Sequence, residues 1–427
     1  MGEREASFDD VCMCTDTCAL AGASAFFAGI KDAVIVVNGP LWCYFFAMRQ
    51  IEHSQPTISH RMICTQLDND AIVFGAEEYL CEVLAPYVEQ PPALLAIVSS
   101  CAAGLIGDDV EAIARGVGLS CPIVALDTSG LTGSFADGWD KAARCMLSTV
   151  LSERRAAQEN AVNLIGVTSA YCSGGNDANE LVRLLETAGY AVNAVFGSNM
   201  SAAELGGLTR ASLNIVVHDE LGLASAHMIE EVCGTPYIAP LPPYGRAGTR
   251  KWLAEIEHVL SAPRRDAAEE EIAHVTRTDF LRINECKSLW GDLCYDTAVI
   301  RAPRSVAWGL AQALRTEWAD ICHLVVAAAA EGAREAAAIA DEIVGETDTL
   351  RMQELLTGLT GGLLLGSSNE SAHIRPQSAQ YLAVAYPVQD ALHLTEAPFM
   401  GLRGARYVEE QLWNGTILRR KNLLSQD

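Results

Sequence analysis

The sequence is poor in basic residues for its length. Its 427 residues include 30 lysines and arginines against 54 aspartates and glutamates, which gives a formal net charge of −24 at pH 7. Nucleic acids and anionic membrane surfaces attract basic proteins, so this balance argues against both as partners. It suits a soluble protein that docks a partner with a basic surface.

Long apolar runs are also absent. No stretch reaches the roughly 18 apolar residues that a membrane-spanning helix needs. The longest candidate, 94–107, is interrupted by Ser99 and Ser100. The acidic start MGEREASFDD lacks the apolar segment of a secretory signal. We therefore expect a cytoplasmic protein that makes no membrane contact.

A third absence concerns nucleotide binding. The sequence has no phosphate-binding loop of the GxxxxGK[ST] kind. Gly174-Gly175 precede a predicted helix, whose start could bind an anion. The pair does not match the GxGxxG fingerprint, however, and a tight turn is the simpler interpretation.

Cysteine, in contrast, is plentiful. The chain has 14 cysteines, and in a reducing compartment clustered thiols indicate metal or redox work rather than disulfides. Free cysteine also behaves as a small buried hydrophobe. On that basis we assign seven cysteines to the core: Cys121, Cys145, Cys172, Cys233, Cys286, Cys294 and Cys322. Cys12, Cys14 and Cys64 remain open between core and ligand.

Three cysteines occupy positions typical of iron ligands: Cys18, Cys43 and Cys101. The first precedes a helical run of small residues. The other two lie just beyond the carboxyl ends of predicted strands, where α/β proteins place their chemistry. Thiolate is the ligand that selects iron–sulfur clusters. Three thiolates cannot saturate a four-iron cluster, so a further ligand must come from elsewhere.

Apolar runs and amphipathic segments alternate along the chain. This β-α-β alternation predicts an α/β protein with three Rossmann-like domains, whose parallel sheets surround a central cleft. We expect the domains to span residues 1–158, 159–285 and 286–427, the last with a closing C-terminal helix. Residues 52–70 lack a clear period and are predicted as a loop, and residues 328–343 are predicted as an alanine-rich helix of the third domain.

Several motifs occur in a fixed order along the chain. They are the Gly-Pro-x-x-Cys turn at 39–43, Val-Phe-Gly at 73–75, Ser-x-Cys-x-x-x-x-Ile-Gly-Asp-Asp at 99–109, and PFMGLRGARYVEEQLWN at 398–414. With them the chain resembles the nitrogenase component 1 family over nearly its whole length. That family includes the dinitrogenase molybdenum–iron protein subunits and their assembly scaffolds. It also includes dark-operative protochlorophyllide reductase, the nickel-sirohydrochlorin reductive cyclase and methylthio-alkane reductase.

The resemblance implies a cluster that two subunits share at their interface, either [4Fe–4S] or an [8Fe–7S] P-cluster. Cys18, Cys43 and Cys101 would be this chain's metal ligands, and Gly39, Pro40 and Gly104 would let backbone approach the cluster. The implied partners are a homologous α-like subunit, in an α2β2 assembly or a homodimer, and an ATP-dependent iron-protein reductase. Because this sequence has no phosphate-binding loop, that ATPase must be a separate chain.

On this basis the chain resembles a β-type subunit of a nitrogenase-like reductase, which relays electrons to an active site mainly in its partner. An assembly scaffold for a nitrogenase-type metallocofactor is an alternative, and so is a non-catalytic partner or regulator that has kept the fold. No residue is assigned a catalytic role.

Two histidines match the region of the family's active-site cofactor ligands. In catalytic α-subunits a cysteine at a strand end ligates the cofactor, and the matching position here falls at or near His218. That histidine could ligate iron or could cap a helix or line a pocket. His393 lies near the C-terminal glycine-rich segment, where the family's other ligand is found. We predict that this chain carries no active-site metallocofactor of its own.

Overall fold

The computed structural model describes residues 17–151, 158–328, 338–345, 347–375 and 378–424. Its contacts divide the chain into two compact units. The first comprises Asp16–Ala170 and Ala191–Ala239, and the second includes Tyr171–Tyr190 and Pro240–Asp427. The domain boundaries expected at 158 and 285 stay a prediction. Among the described residues, no helix is both long and apolar enough to cross a membrane.

The strands of the described residues form three parallel sheets, with orders β2-β1-β3-β4, β6-β5-β7-β8 and β11-β10-β9-β12-β13. The first two sheets belong to the first unit and the third to the second unit. The predicted α/β class with parallel sheets is therefore confirmed. The strands are β1 Ala33–Asn38, β2 Met62–Cys64, β3 Leu94–Ser99, β4 Ile123–Asp127, β5 Ala161–Ile165, β6 Ala191–Phe196, β7 Leu213–Val216, β8 Tyr237–Ile238, β9 Cys294–Arg301, β10 Asp320–Ala327, β11 Glu342–Val344, β12 Leu363–Gly366 and β13 Gln380–Ala383.

Helices connect most of these strands. In chain order the described ones are α1 Ala19–Ala28, α2 Leu41–Glu52, α3 Asn69–Phe74, α4 Glu77–Leu84, α5 Pro86–Glu89, α6 Cys101–Ile106, α7 Val110–Gly116, α8 Phe135–Val150, α9 Gly174–Thr187, α10 Asp219–Cys233, α11 Gly245–Val259, α12 Arg265–Trp290, α13 Arg304–Ala313, α14 Thr349–Gly358, α15 Ser368–Ser371 and α16 Gly401–Leu424. Short 3-10 segments cover Ile58–His60 and Glu204–Arg210, and a π-helical turn covers Leu314–Trp318.

Register brings the carboxyl ends of three strands to one edge of the first sheet. Asn38 at the end of β1 pairs with Ser99 at the end of β3. Ser99 in turn pairs with Asp127 at the end of β4. Every residue of β3 is buried, as expected for a central parallel strand covered on both faces. The segments that follow these strands therefore lie side by side.

Helix α1 is buried over its whole length and ties the two sheets of the first unit together. The ring of Phe26 packs edge-on against Trp139 of α8, at 5.2 Å between centroids, and against Phe196 of β6, at 5.3 Å. Beyond the helix, Ile30 forms a parallel bridge with Met200. The position of α1 thus depends on residues far along the chain.

In the second unit, α9 holds the start of α16. The carboxylate of Asp177 accepts the backbone N–H of Phe399 at 2.6 Å and that of Met400 at 2.8 Å. The hydroxyl of Ser173 donates to the carbonyl oxygen of Ala397 at 2.6 Å. These bonds fix the segment that leads into the C-terminal helix.

Three sequence predictions need correction. Residues 52–70 are not all loop, because β2 lies within them and pairs with β1. The predicted helix 328–343 falls partly outside the described residues, and its end is strand β11, which pairs with β10. Of the seven cysteines assigned to the core, Cys172 and Cys233 are buried, and three are only partly buried: Cys121, Cys145 and Cys286. The remaining two, Cys294 and Cys322, are exposed. They lie in the amino-terminal halves of β9 and β10, where the neighbouring residues Tyr295 and Ile321 occupy the buried face.

Candidate metal centre

Cys18 is fixed from both sides. It lies at the N-cap position of α1 with extended backbone, and it forms an antiparallel bridge with Ser134. The N–H of Ala19 donates to the carbonyl oxygen of Gly133 at 3.1 Å. Before it, the hydroxyl of Thr17 donates to Oε1 of Gln50 on α2 at 2.6 Å. Cys18 is nevertheless exposed to solvent.

Cys43 lies in the first turn of α2, directly after the Gly39-Pro40 turn that ends β1. The turn is held by the segment after β2. The N–H of Gly39 donates to Oγ1 of Thr65 at 2.9 Å, and its carbonyl oxygen accepts the N–H of Leu67 at 3.1 Å. A Cβ built on Gly39 would lie 2.4 Å from Oγ of Ser100, so only glycine fits.

Cys101 begins α6, immediately after β3. Its neighbour Ser100 donates its N–H to the carbonyl oxygen of Asn38 at 2.9 Å. The thiol of Cys101 accepts the backbone N–H of Gly130 at 3.0 Å. A Cβ built on Gly130 would lie 3.3 Å from Cβ of Cys18 and 3.4 Å from Sγ of Cys101. Gly130 thus lies between the two cysteines.

Electrostatics links Cys43 to the same group. Burial raises the pKa of the Cys43 thiol, and the charges of Cys18, Cys101 and Cys64 raise it further. The contacts around Gly130 and Gly39 agree with this coupling and place the three predicted cysteines at one edge of the first sheet. In the part of the chain that the structure describes, no three His, Cys, Asp or Glu side chains are arranged to hold a single metal ion. An iron–sulfur cluster makes a different demand, because each thiolate binds a different iron.

Cys64 is one of the three cysteines that sequence reasoning left undecided. It is buried at the end of β2, its thiol donates to the carbonyl oxygen of Gly39 at 3.3 Å, and it accepts the N–H of Gln66 at 3.3 Å. Cys64 therefore helps to hold the Gly39 turn in place through the first of these hydrogen bonds. Only an assignment of β2 as a neighbour of β1 could have indicated this. Cys12 and Cys14 lie outside the described residues.

The other predicted cofactor-binding positions are near the three cysteines along the chain. Pro40 occupies the N-cap position of α2 with extended backbone. Gly104 lies in α6, one helical turn after Cys101, and a Cβ built on it would lie 3.3 Å from Oδ1 of Asp127 and 3.7 Å from Cβ of Ser129. Gly104 thus lets α6 approach the segment that follows β4.

Large apolar side chains surround the cysteines on the surface. On α2, the aromatic face consists of Leu41, Trp42, Phe45 and Phe46, which are 54%, 69%, 41% and 64% exposed. Its three rings contact one another. These side chains flank Cys43 in sequence, so the exposed aromatic surface and the candidate metal centre are continuous.

A second exposed apolar surface lies on α3 and α6. These helices pack through Ala71 and Ala103, which leaves Phe74 84% and Leu105 77% exposed. Phe74 borders a hollow of about 520 Å³ that is lined by Asp70, Gly75, Glu77, Glu78, Tyr79 and Cys81. The exposed ring of Phe74 lies beside carboxylates, and this combination suits a partner surface that carries basic residues.

The two histidines lie in different units. His218 is buried at the N-cap position of α10, after β7, and burial lowers its pKa to about 4. His393 lies in the segment before α16, where Nδ1 is 3.4 Å from the hydroxyl of Tyr407. Burial also lowers the pKa of His393. Both imidazoles are therefore neutral at physiological pH.

Comparison with solved structures supports the architecture. The structure of nitrogenase Cp1 at pH 6.5 superimposes with a TM-score of 0.80. The match covers 99% of this chain and 96% of that chain, at 16% sequence identity. This likeness shows a shared fold.

Sequence comparison identifies the family. The chain is 22% identical over 412 residues to one of the subunits of light-independent protochlorophyllide reductase from Trichormus variabilis, covering 91% of this chain and 80% of the relative. It is 26% identical over 251 residues to the nitrogenase iron-molybdenum cofactor biosynthesis protein NifE of Clostridium pasteurianum, covering 57% and 53%. The family model for nitrogenase component 1 type oxidoreductases matches residues 18–416. The chain therefore belongs to the nitrogenase component 1 type oxidoreductases.

Proposed function

We propose that this chain is a β-type subunit of a nitrogenase-like two-component reductase. In this proposal it holds an iron–sulfur cluster at an interface and relays electrons from an ATP-dependent iron protein to an active site mainly in its partner. One observation carries the proposal. Cys18 and Cys101 both lie against Gly130, and Cys43 follows the Gly39 turn that packs on Ser100, so the three cysteines share one edge of the first sheet, next to exposed aromatic side chains.

The residues at this edge fit such a cluster. The donor set consists of thiols, which bind iron–sulfur clusters as thiolates. Burial and then the negative charges of the neighbouring cysteines raise the pKa of Cys43, and cationic iron would offset both effects on its thiolate. A Cβ on Gly130 would lie 3.3 Å from Cβ of Cys18 and 3.4 Å from Sγ of Cys101, so the space between these two cysteines is tight. When bound, a [4Fe–4S] cluster or [8Fe–7S] P-cluster would accept and pass on electrons one at a time.

The number of thiols and their exposed position also favour a cluster that is shared between two subunits. A cluster with four or more irons needs ligands beyond Cys18, Cys43 and Cys101. The aromatic face next to Cys43 is typical of a surface that another subunit covers, because contiguous exposed aromatic patches mark interaction sites. We propose a homologous α-like subunit as that partner in an α2β2 assembly, with a homodimer as the alternative.

The surface around Phe74 supports the docking of a reductase. Phe74 and Leu105 offer apolar contact, while Asp70, Glu77 and Glu78 surround them with negative charge. The net charge of −24 would steer a partner with a basic surface towards this unit. We propose that the ATP-dependent iron protein docks here, close to the thiols on α2 and α6.

The proposal leaves the active-site metallocofactor to the partner. His218 is buried and occupies a helix N-cap position, which favours a structural role over iron ligation. His393 contacts the hydroxyl of Tyr407 and the ring of Phe399 within its own unit. We therefore propose that neither histidine ligates a metallocofactor in this chain.

Similarity to NifE favours a second candidate function. A scaffold that holds a metallocofactor precursor would use the same fold and the same three cysteines. A non-catalytic regulator is less well supported, because it would have no need for three neighbouring thiols at an exposed edge. Turnover separates the first two candidates: a reductase subunit supports substrate reduction with its iron protein, and a scaffold does not.

Anaerobic purification with iron analysis and EPR tests the cluster. We expect iron and an iron–sulfur signal in the complex, and loss of both when Cys18, Cys43 or Cys101 is changed to alanine. Cys233→Ala is the matched control, because Cys233 is buried in α10, remote in sequence from the cysteine edge. Full iron content in all three variants would refute the proposal.

A further inference from the structure

Gly130 donates a hydrogen bond to the sulfur of a proposed cluster ligand. The residue follows β4 in a turn closed by the N–H of Thr132, which donates to the carbonyl oxygen of Ser129 at 2.8 Å. Within this turn the N–H of Gly130 points to Sγ of Cys101, at 3.0 Å. The donor belongs to the backbone, so its presence does not depend on a side-chain rotamer.

Limited space, rather than backbone conformation, disfavours a side chain at position 130. Gly130 is not among the residues with positive φ, so other residues could adopt its backbone conformation. A Cβ would, however, lie 3.3 Å from Cβ of Cys18 and 3.4 Å from Sγ of Cys101. The chain thus presents an N–H group and no side chain at a point between two proposed ligands.

We propose that the Gly130 N–H group raises the reduction potential of the cluster through its hydrogen bond to the Cys101 thiolate. This inference rests on the cluster proposed above. A hydrogen bond to a ligand sulfur withdraws negative charge, and it stabilises the reduced, more negative cluster more than the oxidised one. The electron comes from the iron-protein reductase, and the N–H group keeps its proton in both states.

Isotope labelling tests the contact without removing it. The complex is prepared anaerobically with ¹⁵N only in glycine, and the paramagnetic cluster is examined by pulsed EPR. We expect a ¹⁵N coupling in the wild type. In Gly130→Ala the N–H group remains but its nitrogen is unlabelled, so the coupling should disappear while the cluster signal stays. A coupling that persists unchanged in Gly130→Ala would overturn the inference.

Removing the donor tests the effect on potential. Proline has no N–H group, and its Cδ takes the place of the hydrogen that points to Sγ of Cys101, so Gly130→Pro deletes the hydrogen bond and moves the turn away from the thiol. In a redox titration we expect a more negative midpoint. At the wild-type midpoint, the ratio of reduced to oxidised cluster should fall about threefold or more. An unchanged midpoint in Gly130→Pro with an intact cluster would contradict the inference.

Two controls separate bulk from hydrogen bonding. Gly130→Ala adds a methyl group and keeps the donor, so its midpoint should stay closer to wild type than that of Gly130→Pro. Gly116→Ala adds a methyl group at a helix end where nothing lies within 4 Å, and it should leave the midpoint unchanged. If Gly130→Pro loses its cluster, the ¹⁵N measurement alone tests whether the Gly130 N–H group is bonded to the cluster ligand. A wild-type complex without iron would instead refute the proposed function itself.

Discussion

A Cβ on Gly138 of α8 would lie 1.9 Å from the carbonyl oxygen of Ala19 on α1. The relationship is reciprocal, since a Cβ on Gly22 would lie 1.8 Å from the carbonyl oxygen of Phe135. The two helices therefore meet backbone to backbone. Because Ala19 directly follows Cys18, this contact also sets the position of a proposed cluster ligand.

We predict that Gly138→Ala destabilises the protein and impairs iron loading. The added methyl group must push α1 away from α8, and overpacking of this kind costs about 1–3 kcal/mol. The displacement moves Cys18, so iron content should fall as well. Denaturant unfolding and anaerobic iron analysis measure the two effects. Gly116→Ala, with open space around it, should stay within about 0.5 kcal/mol of wild type. Wild-type stability in Gly138→Ala would contradict the described contact.

The aromatic face on α2 should matter for assembly and not for folding. Trp42 and Phe46 are 69% and 64% exposed, so Trp42→Asp and Phe46→Asp should change the free energy of unfolding by no more than about 0.5 kcal/mol. A buried charge at a subunit interface should weaken association by about 2 kcal/mol or more. Native mass spectrometry of the anaerobic complex measures this loss. Leu350→Asp, at a 55% exposed position on α14, is the control. Intact assembly in both α2 variants would exclude this face as the interface.

Asp177 should give the unfolding free energy a pH dependence. Burial raises its pKa from 3.8 to about 7, against the lowering effect of the N–H groups of Met400 and Phe399. Between these two pH values the folded protein holds a proton that the unfolded chain has lost. The free energy of unfolding therefore falls as pH rises through this range. Asp177→Asn keeps an acceptor for both N–H groups and removes the titration. Denaturant unfolding at several pH values should show a flatter profile in the variant, and identical profiles would refute the assignment.

His218 should behave as a neutral structural residue. Burial lowers its pKa from 6.5 to about 4, so the unfolded chain gains a proton below pH 6.5 that the folded protein does not accept until about pH 4. The free energy of unfolding should therefore fall as pH decreases across this range. We expect His218→Ala to lose this component and to retain nearly all its iron. Loss of a distinct cofactor EPR signal, with the cysteine cluster intact, would mean that the chain is α-like.

Sequence reasoning placed Cys43 and Cys101 after strands because strand ends are local features. Cys43 and Cys101 follow runs of apolar residues that are buried strands, and such runs are visible without tertiary information. The same reasoning missed β2, because three residues are too few to show alternation. The hydrogen bonds of Cys64 and Thr65 to Gly39 were therefore missed as well.

Features that depend on distant contacts gave no local signal. The role of Gly130 follows only from the approach of the segment after β4 to Cys101. Residues 342 and 343 were predicted as the end of an alanine-rich helix, but they lie in β11, which pairs with β10. Tertiary pairing overrides helix propensity in such cases. Cys294 and Cys322 were assigned to the core because cysteine is usually buried, although their strand positions face solvent.

The bridge between Ile30 and Met200 limits how this protein can be dissected. Every proposed ligand precedes β4. Helix α1, however, packs against Phe196, and the residue after it, Gly29, accepts the N–H of Met200, so its contacts come from much later in the chain. A fragment that ends at Val150 should therefore lack cooperative unfolding, whereas one that ends at Ala239 should show it in circular dichroism. The longer fragment necessarily carries Tyr171–Tyr190, which belongs to the second unit. The ligand-bearing segment is thus not a transplantable module, and a version without Tyr171–Tyr190 has to be built as two stretches joined by a new linker.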